Sequence, residues 1–273
     1  MKKLFEEIEV LIELLLRDAK KIDKELMSEV EKLLKKLESD NENKYTKNSS
    51  NREAILEAVK KLEKIAKSKK FESLTSQLLS SFDKIVENNQ AIHASLNKIE
   101  FTETIINNIA KSKELAVNAV SASLSTSNVN ANAIAPIRRI LLESIELGFG
   151  TQRATKLLRE RIVGMESEGA IGRYVNQIAR DALYEYDGVV NQTIAIEYDM
   201  NAYRYVGGLV KDSRPQCEKW HRKKVLKIEN LDKEIKWAYR NGSGMKPNTN
   251  ENNFIVKRGG WNCRHRAIPI IIE

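Results

Sequence analysis

The sequence predicts a mainly α-helical protein with long N-terminal helices and a small α+β domain at the C-terminus. Apolar residues recur at helical spacing through the first two hundred positions. Charged residues make up 31% of the chain and apolar residues 41%, a balance typical of long helices with exposed charged faces. Composition then changes abruptly near residue 200. We therefore expect an elongated helical region over 1–135, a further helical part over 136–200 and a basic module over 201–273.

Residues 1–39 are predicted to form one long helix, because apolar side chains recur every three or four positions. The mean step is close to the helical period, so these side chains stay on one face. Such a face packs on neighbouring helices or serves as a docking or oligomerising surface, and we expect packing within the chain. The stripe consists of Leu4, Ile8, Leu11, Leu15, Ala19, Ile22, Leu26, Val30, Leu33 and Leu37.

Two polar segments without apolar periodicity are predicted to be linkers, near 40–51 and 121–135. Helical patterns fill the sequence between them. After the second segment, Pro136 is placed for the first turn of a helix and Thr151 for the cap of the next. A last helical pattern covers 169–200.

The C-terminal quarter differs from the rest in charge and in residue types. Residues 201–273 carry 16 Lys and Arg against 7 Asp and Glu, a net charge of +9, whereas residues 1–200 sum to −1. All three tryptophans and both cysteines lie there. The segments AYRYVGGLV, KVLKI, NFIVKRGG and CRHRAIPIII are predicted strands, and PQCEKWH and LDKEIKWAYRN are predicted helices. A hydrophobic core is only marginally stabilising at this size, so a further cross-link is expected.

No apolar run approaches the 18 residues that a membrane span needs, so no membrane association is expected. The N-terminus has acidic residues where a signal peptide needs an apolar core, and we expect no export signal. Two cysteines without such a signal favour a metal site or free thiols in a reducing compartment.

Four potential metal ligands occur in two pairs near the C-terminus. Cys217 and His221 lie one turn apart if PQCEKWH is helical, and Cys263 and His265 point to the same side if NCRHR is a strand. Two cysteines and two histidines match a structural zinc site. Three alternatives stay open: thiols packed against tryptophan, a disulfide in an oxidising environment, and a histidine that hydrogen-bonds a carbonyl group.

The order of motifs in residues 137–273 resembles the Mu F-like minor head proteins of tailed phages, the head-morphogenesis family. The resemblance rests on IARDALYEYDGVVNQ, AYRYVGGL, KDSRPQC and GGWNCRH. GFGTQRATKLLRERI also loosely resembles a helix pair of the family. Residues 1–135 show no resemblance, and the family motif does not reliably include His221. The matching residues are Ala179, Arg180, Asp181, Asn191, Asp212, Arg214, Cys217, Asn262, Cys263, Arg264 and His265.

The resemblance implies a structural, non-enzymatic component of the virion, made in the host cytoplasm and present in several copies. It would associate with the portal or the major capsid protein, at the portal vertex or inside the head, during head assembly or DNA packaging and ejection. Asp212 and Arg214 would form an ion pair or turn that fixes the Cys217 segment, and Asn262 would cap a turn before Arg264. Packaged double-stranded DNA would contact exposed basic residues, whose non-specific binding weakens with salt. The candidates are Arg222, Lys223, Lys224, Lys257, Arg258, Arg264 and Arg266.

Two other function classes fit parts of the sequence. One is a toxin-type nuclease or transferase module on a helical delivery region, with His221, His265 and Arg214 as its candidate residues. The chain carries no nuclease, metalloprotease, P-loop or Ser-His-Asp signature that would support it. The other is a DNA-binding or coiled adaptor protein, which would leave the paired cysteine segments unexplained.

Overall fold

The computed structural model of the chain describes residues 2–165, 167–261 and 263–272. It is 69% helical, with long N-terminal helices and a small three-stranded antiparallel sheet near the C-terminus, which confirms the predicted fold class. The helices are α1 (Lys2–Leu34), α2 (Ser49–Ile65), α3 (Lys69–Leu96), α4 (Glu103–Ser123), α5 (Thr126–Val129), α6 (Ala135–Glu146), α7 (Thr151–Ile162), α8 (Ala170–Glu197), α9 (Pro215–Lys223), α10 (Leu231–Asn241) and α11 (Phe254–Lys257). The strands are β1 (Ala202–Val206), β2 (Val225–Lys227) and β3 (Arg266–Ile270).

In helix α1 and the turn after it, the predicted stripe is buried from Ile8 to Leu37, while the side chain of Leu4 lies outside the described part. The helix ends at Leu34, five residues before the predicted end at 39. The carboxylate of Asp40 accepts hydrogen bonds from the backbone N–H groups of Glu42 and Lys44, both at 2.9 Å. This local turn competes with continued helix and explains the earlier end.

The predicted linker at 121–135 is instead helical. Helix α4 ends at Ser123, α5 follows, and a π-helical turn over Asn130–Ile134 leads into α6. The reason is burial, because Val129, Ala133 and Ile134 are almost fully enclosed. Small polar residues are weak helix formers, and tertiary packing overrides that preference here.

Contacts divide the chain into two compact units that do not follow chain order. One unit comprises Met1–Ile12, Leu79–Val120 and Ala179–Glu273, and the other comprises Glu13–Leu78 and Ser121–Ile178. The consecutive segments 1–135, 136–200 and 201–273 therefore stay a prediction about domain organisation.

The C-terminal residues of the first unit surround their own sheet, in the order β2-β1-β3 with both pairs antiparallel. Tyr203 pairs with Leu226 on one side of β1, and Tyr205 pairs with Ala267 on the other. An aromatic core packs against this sheet, formed by Tyr203, Tyr205, Trp220, Leu226, Leu231, Ile235, Ala238, Phe254, Ile255 and Ala267. The predicted strand NFIVKRGG is helix α11 instead, because Phe254 and Ile255 are buried together in this core from one turn.

A buried polar network joins β3 to α3 and α8 in the same unit. Arg266, 1% exposed, forms two hydrogen bonds to the carboxylate of Asp187, at 2.6 and 3.1 Å. It also donates to Asn88 at 3.0 Å and Asn89 at 3.1 Å. Because its charge is paired and its donors have acceptors, burial of this arginine is tolerated.

His93 ends this network and is structural. Asn97 donates to its Nδ1 at 2.7 Å, so its Nε2 donates to Asn191 Oδ1 at 3.0 Å. Burial lowers the pKa of His93, and the ring is therefore a neutral hydrogen-bonding side chain.

Candidate metal centre

Two segments far apart in the sequence meet beside β1 and bring three potential ligands together. Cys217 lies in the first turn of α9, which Pro215 begins, while Cys263 and His265 directly precede β3. The two Sγ atoms and one imidazole nitrogen all lie within 4.8 Å of one another. The three side chains, hereafter the Cys–His cluster, are 4%, 7% and 3% exposed, so the cluster is enclosed by protein.

Tyr205 of β1 forms one wall of the Cys–His cluster. Its hydroxyl oxygen lies 3.7 Å from Cys217 Sγ and 3.6 Å from Cys263 Sγ. Its ring stacks on His265, with centroids 4.9 Å apart and planes inclined by 17°. This stacking fixes the plane of the His265 imidazole, whose Nδ1 lies 3.8 Å from Cys263 Sγ.

Gly259 lies next to the Cys–His cluster, at a position where only a residue without a side chain fits. A Cβ at this position would lie 2.6 Å from Cys217 Sγ and 2.8 Å from Cys263 Sγ. It would also lie 3.1 Å from the Tyr205 hydroxyl. Any side chain at this position would thus clash with both sulfurs and push them away.

Two side chains at the start of α9 hold the loop against the Cys–His cluster. Arg214 donates to the carbonyl oxygen of Gly259 at 2.9 Å and also to that of Trp261. Gln216, fully buried, donates to the Gly259 carbonyl at 3.1 Å. The helix that carries one cysteine therefore binds the loop that leads to the other.

The two sulfurs shift each other's pKa values in opposite directions. A hydrogen bond between them raises the pKa of the Cys217 thiol, and burial adds to this effect. The same hydrogen bond lowers the pKa of Cys263 well below its ordinary value, and His265 beside it acts in the same direction. Metals bind the deprotonated form of cysteine, so the lowered pKa of Cys263 favours binding of a cation.

His265 carries a second indication of an absent partner. Its Nε2 is buried and has no hydrogen-bond partner in the part of the chain that the structure describes. Buried polar atoms nearly always have a hydrogen-bond partner, so a nitrogen without one is unusual. A metal ion bound at either imidazole nitrogen would use the ring as a ligand and fix the ring's proton on the other nitrogen.

His221, the fourth predicted ligand, lies outside the Cys–His cluster. Its ring centroid is 6.1 Å from that of His265, and its side chain is half-buried. The structure thus brings Cys217, Cys263 and His265 together and leaves His221 beside them. Two thiols and one imidazole are soft to borderline ligands, so this group could hold a metal ion.

The other residues of the predicted motif differ in exposure and in hydrogen-bond partners. Asp212 is exposed and, within the described residues, makes no ion pair with Arg214, whose guanidinium binds carbonyl groups instead. The side chain of Arg264 is exposed, while its carbonyl oxygen accepts a hydrogen bond from Tyr184 at 3.0 Å. Asn262 lies outside the described residues.

The predicted nucleic-acid surface needs correction at two positions. Arg258 is 3% exposed and donates to the carbonyl oxygen of Tyr184, and Arg266 is bound to Asp187. Neither guanidinium reaches solvent, so neither can bind a phosphate. Both were predicted to be exposed because a sequence does not show which arginines have buried partners.

The remaining basic candidates lie nearer the surface. Lys223 is ion-paired with Glu234, and Lys257 donates to the carbonyl oxygens of Pro247 and Asn248. Arg222 and Lys224 are exposed at the end of α9.

The sequence did not single out Tyr205, Gln216 or Gly259 as parts of the site. Strand alternation in AYRYV placed Tyr203 and Tyr205 on one face, but their neighbours depend on the sheet register. The Gly259-Gly260 pair signalled backbone freedom without showing what approaches it.

Comparisons with known protein families, with curated proteins and with solved structures found no match. Among the described residues, no helix combines the length and the apolar character that crossing a bilayer requires.

Proposed function

We propose that the chain is a structural minor head protein of a tailed phage, with a C-terminal module closed by a zinc ion. The observation that carries this proposal is the meeting of Cys217 and Cys263, the two cysteines on which the motif resemblance depends. Segments separated by more than forty residues converge on one enclosed pocket, as a structural cross-link requires.

Zinc is the metal that fits the ligands best. Closed structural zinc sites are tetrahedral and take four cysteine or histidine ligands, for example two of each. His221 is the candidate for the fourth ligand, since its ring lies next to that of His265. Bound zinc would stabilise the folded form further by joining the α9 segment to the loop before β3.

A structural role fits these residues better than the nuclease or transferase alternative. Arg214 binds backbone carbonyl groups, and His265 is buried under Tyr205, so neither is free for a substrate. A catalytic residue must lie within hydrogen-bonding reach of the reacting group. We therefore propose a protein that assembles rather than one that catalyses.

The proposed partners are the portal or major capsid protein and packaged double-stranded DNA, with several copies of the chain in the virion. Arg222 and Lys224 are the exposed candidates for phosphate contacts. Such contacts are independent of sequence and weaken as salt rises.

The test is co-assembly. The tagged full chain would be co-expressed with a phage portal protein and a major capsid protein, and particles separated by density. We expect the chain to sediment with the particles at a fixed ratio to portal protein, measured by quantitative mass spectrometry. A chain absent from the particles that instead cleaves DNA, and loses this activity in His221→Ala and His265→Ala, would overturn the proposal.

A further inference from the structure

We propose that Cys217 and Cys263 are also a redox modification site, in which a disulfide replaces the metal as the cross-link between the same two segments. The chemistry depends only on the geometry of the site. Its occurrence when a particle leaves the reducing cytoplasm rests on the proposed function.

The geometry places two thiols against each other with no other thiol to compete. The chain contains two cysteines, and both belong to the Cys–His cluster. Both sulfurs lie within 3.7 Å of one hydroxyl oxygen, that of Tyr205. A disulfide bond is about 2.05 Å long. The two sulfurs, which lie within 4.8 Å of each other, must approach to that distance while the two segments remain in contact.

Hydrogen bonds between the two segments hold the backbone near both cysteines. Arg214 and Gln216 bind the Gly259 carbonyl from the helix that carries Cys217. Gly259 leaves the space between the sulfurs and the loop free of any side chain. These contacts do not involve a metal, so they keep the cysteines adjacent after a metal has left.

The reaction balances with a peroxide as the oxidant. The Cys263 sulfur attacks one peroxide oxygen, the O–O bond breaks, and a sulfenic acid and a water molecule form. The Cys217 sulfur then attacks the Cys263 sulfur, the S–O bond breaks, and the second water leaves with the proton of the thiol. Two thiols and one hydrogen peroxide thus give one disulfide and two waters. The peroxide is reduced and both sulfurs are oxidised.

Metal and disulfide exclude each other because both need the same electron pairs on sulfur. Zinc-bound thiolates share these pairs with the ion, and a disulfide sulfur has lost the negative charge that binds zinc. Zinc therefore protects the pair, and oxidation of the metal-free pair prevents zinc from binding again.

The experiment uses the full chain in two forms, loaded with zinc and stripped by a chelator, each treated with equimolar hydrogen peroxide. Free thiols are counted after denaturation, and cysteine peptides are identified by mass spectrometry without reduction. We expect the stripped form to lose both thiols and two hydrogen atoms, with the Cys217 and Cys263 peptides joined within one chain. The zinc-loaded form should keep both thiols at least ten times longer.

Two results would overturn the inference. One is a stripped chain in which Cys263 goes to sulfinic or sulfonic acid while Cys217 stays a thiol, or in which chains join to each other. The other is equal oxidation rates for the stripped form and for a loaded form in which one bound zinc ion per chain has been measured. The Cys217→Ser variant, which lacks the second thiol, is the control, and Cys217→Ala serves if the serine variant does not fold. Failure here leaves the co-assembly result intact, so the two proposals can fail separately.

Discussion

The buried carboxylate of Asp23 caps the N-terminus of helix α8, although Asp23 precedes this helix by more than a hundred residues in the sequence. Its two oxygens accept hydrogen bonds from the backbone N–H groups of Ile171 at 2.8 Å and Gly172 at 3.1 Å. It thus serves as the cap that satisfies the first turn of α8. Burial raises its pKa to about 6, although both hydrogen bonds act in the opposite direction.

This pKa predicts a pH-dependent stability for the unit that contains Asp23. Between about pH 4 and pH 6 the folded carboxyl holds a proton that the unfolded chain releases, so the unfolding free energy falls as pH rises through this window. The raised pKa corresponds to a loss of about 3 kcal/mol, complete above pH 6. Urea unfolding at several pH values would measure it, with the non-titrating Asp23→Asn as the reference. Parallel pH profiles for the two proteins would refute the prediction.

At the residue scale, the scarcity of cysteine and histidine was the feature of the sequence that indicated the site. It identified Cys217, Cys263 and His265, because cysteine and histidine are rare elsewhere in the chain. It could not identify Tyr205 or Gly259, since a tyrosine and a glycine acquire their roles only from what lies beside them. Arg266 was misplaced for the same reason, as its partner Asp187 is distant in the sequence.

At the scale of elements, strand β3 is attached to α3 and α8 through one arginine. Arg266 binds Asp187 on α8 and two asparagines on α3, and all five residues of the strand are buried. Removal of the arginine would leave the Asp187 carboxylate, itself 1% exposed, without its counter-charge. An unpaired buried charge is among the most costly defects in a protein interior.

We therefore expect Arg266→Met to lower the unfolding free energy by about 3–5 kcal/mol. Arg264→Met, two residues away and exposed, is the matched control and should change it by less than about 0.5 kcal/mol. Chemical denaturation of both variants followed by circular dichroism would measure the difference. Equal stabilities would show that the network around Asp187 contributes nothing.

Elements with a long apolar period were predictable, and short polar or mixed segments were not. The stripe of α1 and helix α10 follow from local periodicity, and Pro215 signals the start of the short helix α9. Residues 121–135 and 254–257 took up helix because Ile134 and Phe254 are buried, which no local pattern records. For these segments tertiary contacts decide the structure.

At the scale of the whole molecule, the sequence separated a basic C-terminal quarter from the rest by charge alone. The aromatic core around β1 lies entirely within that quarter. The compact units nevertheless combine residues from distant parts of the chain, and composition does not reveal such non-local contacts.

The central claim is that one zinc ion joins the α9 segment to the loop before β3, and metal content measures this most directly. The full chain would be purified in reducing buffer with equimolar zinc, and its zinc-to-chain ratio and zinc X-ray absorption spectrum recorded. Gly259→Ala places a methyl group against both sulfurs, whereas Gly208→Ala meets no atom within 4 Å. We expect a ratio near one with sulfur ligands for the native chain and Gly208→Ala, and at least tenfold weaker binding for Gly259→Ala. A native chain that takes up no zinc, or two variants that bind it equally, would contradict the account.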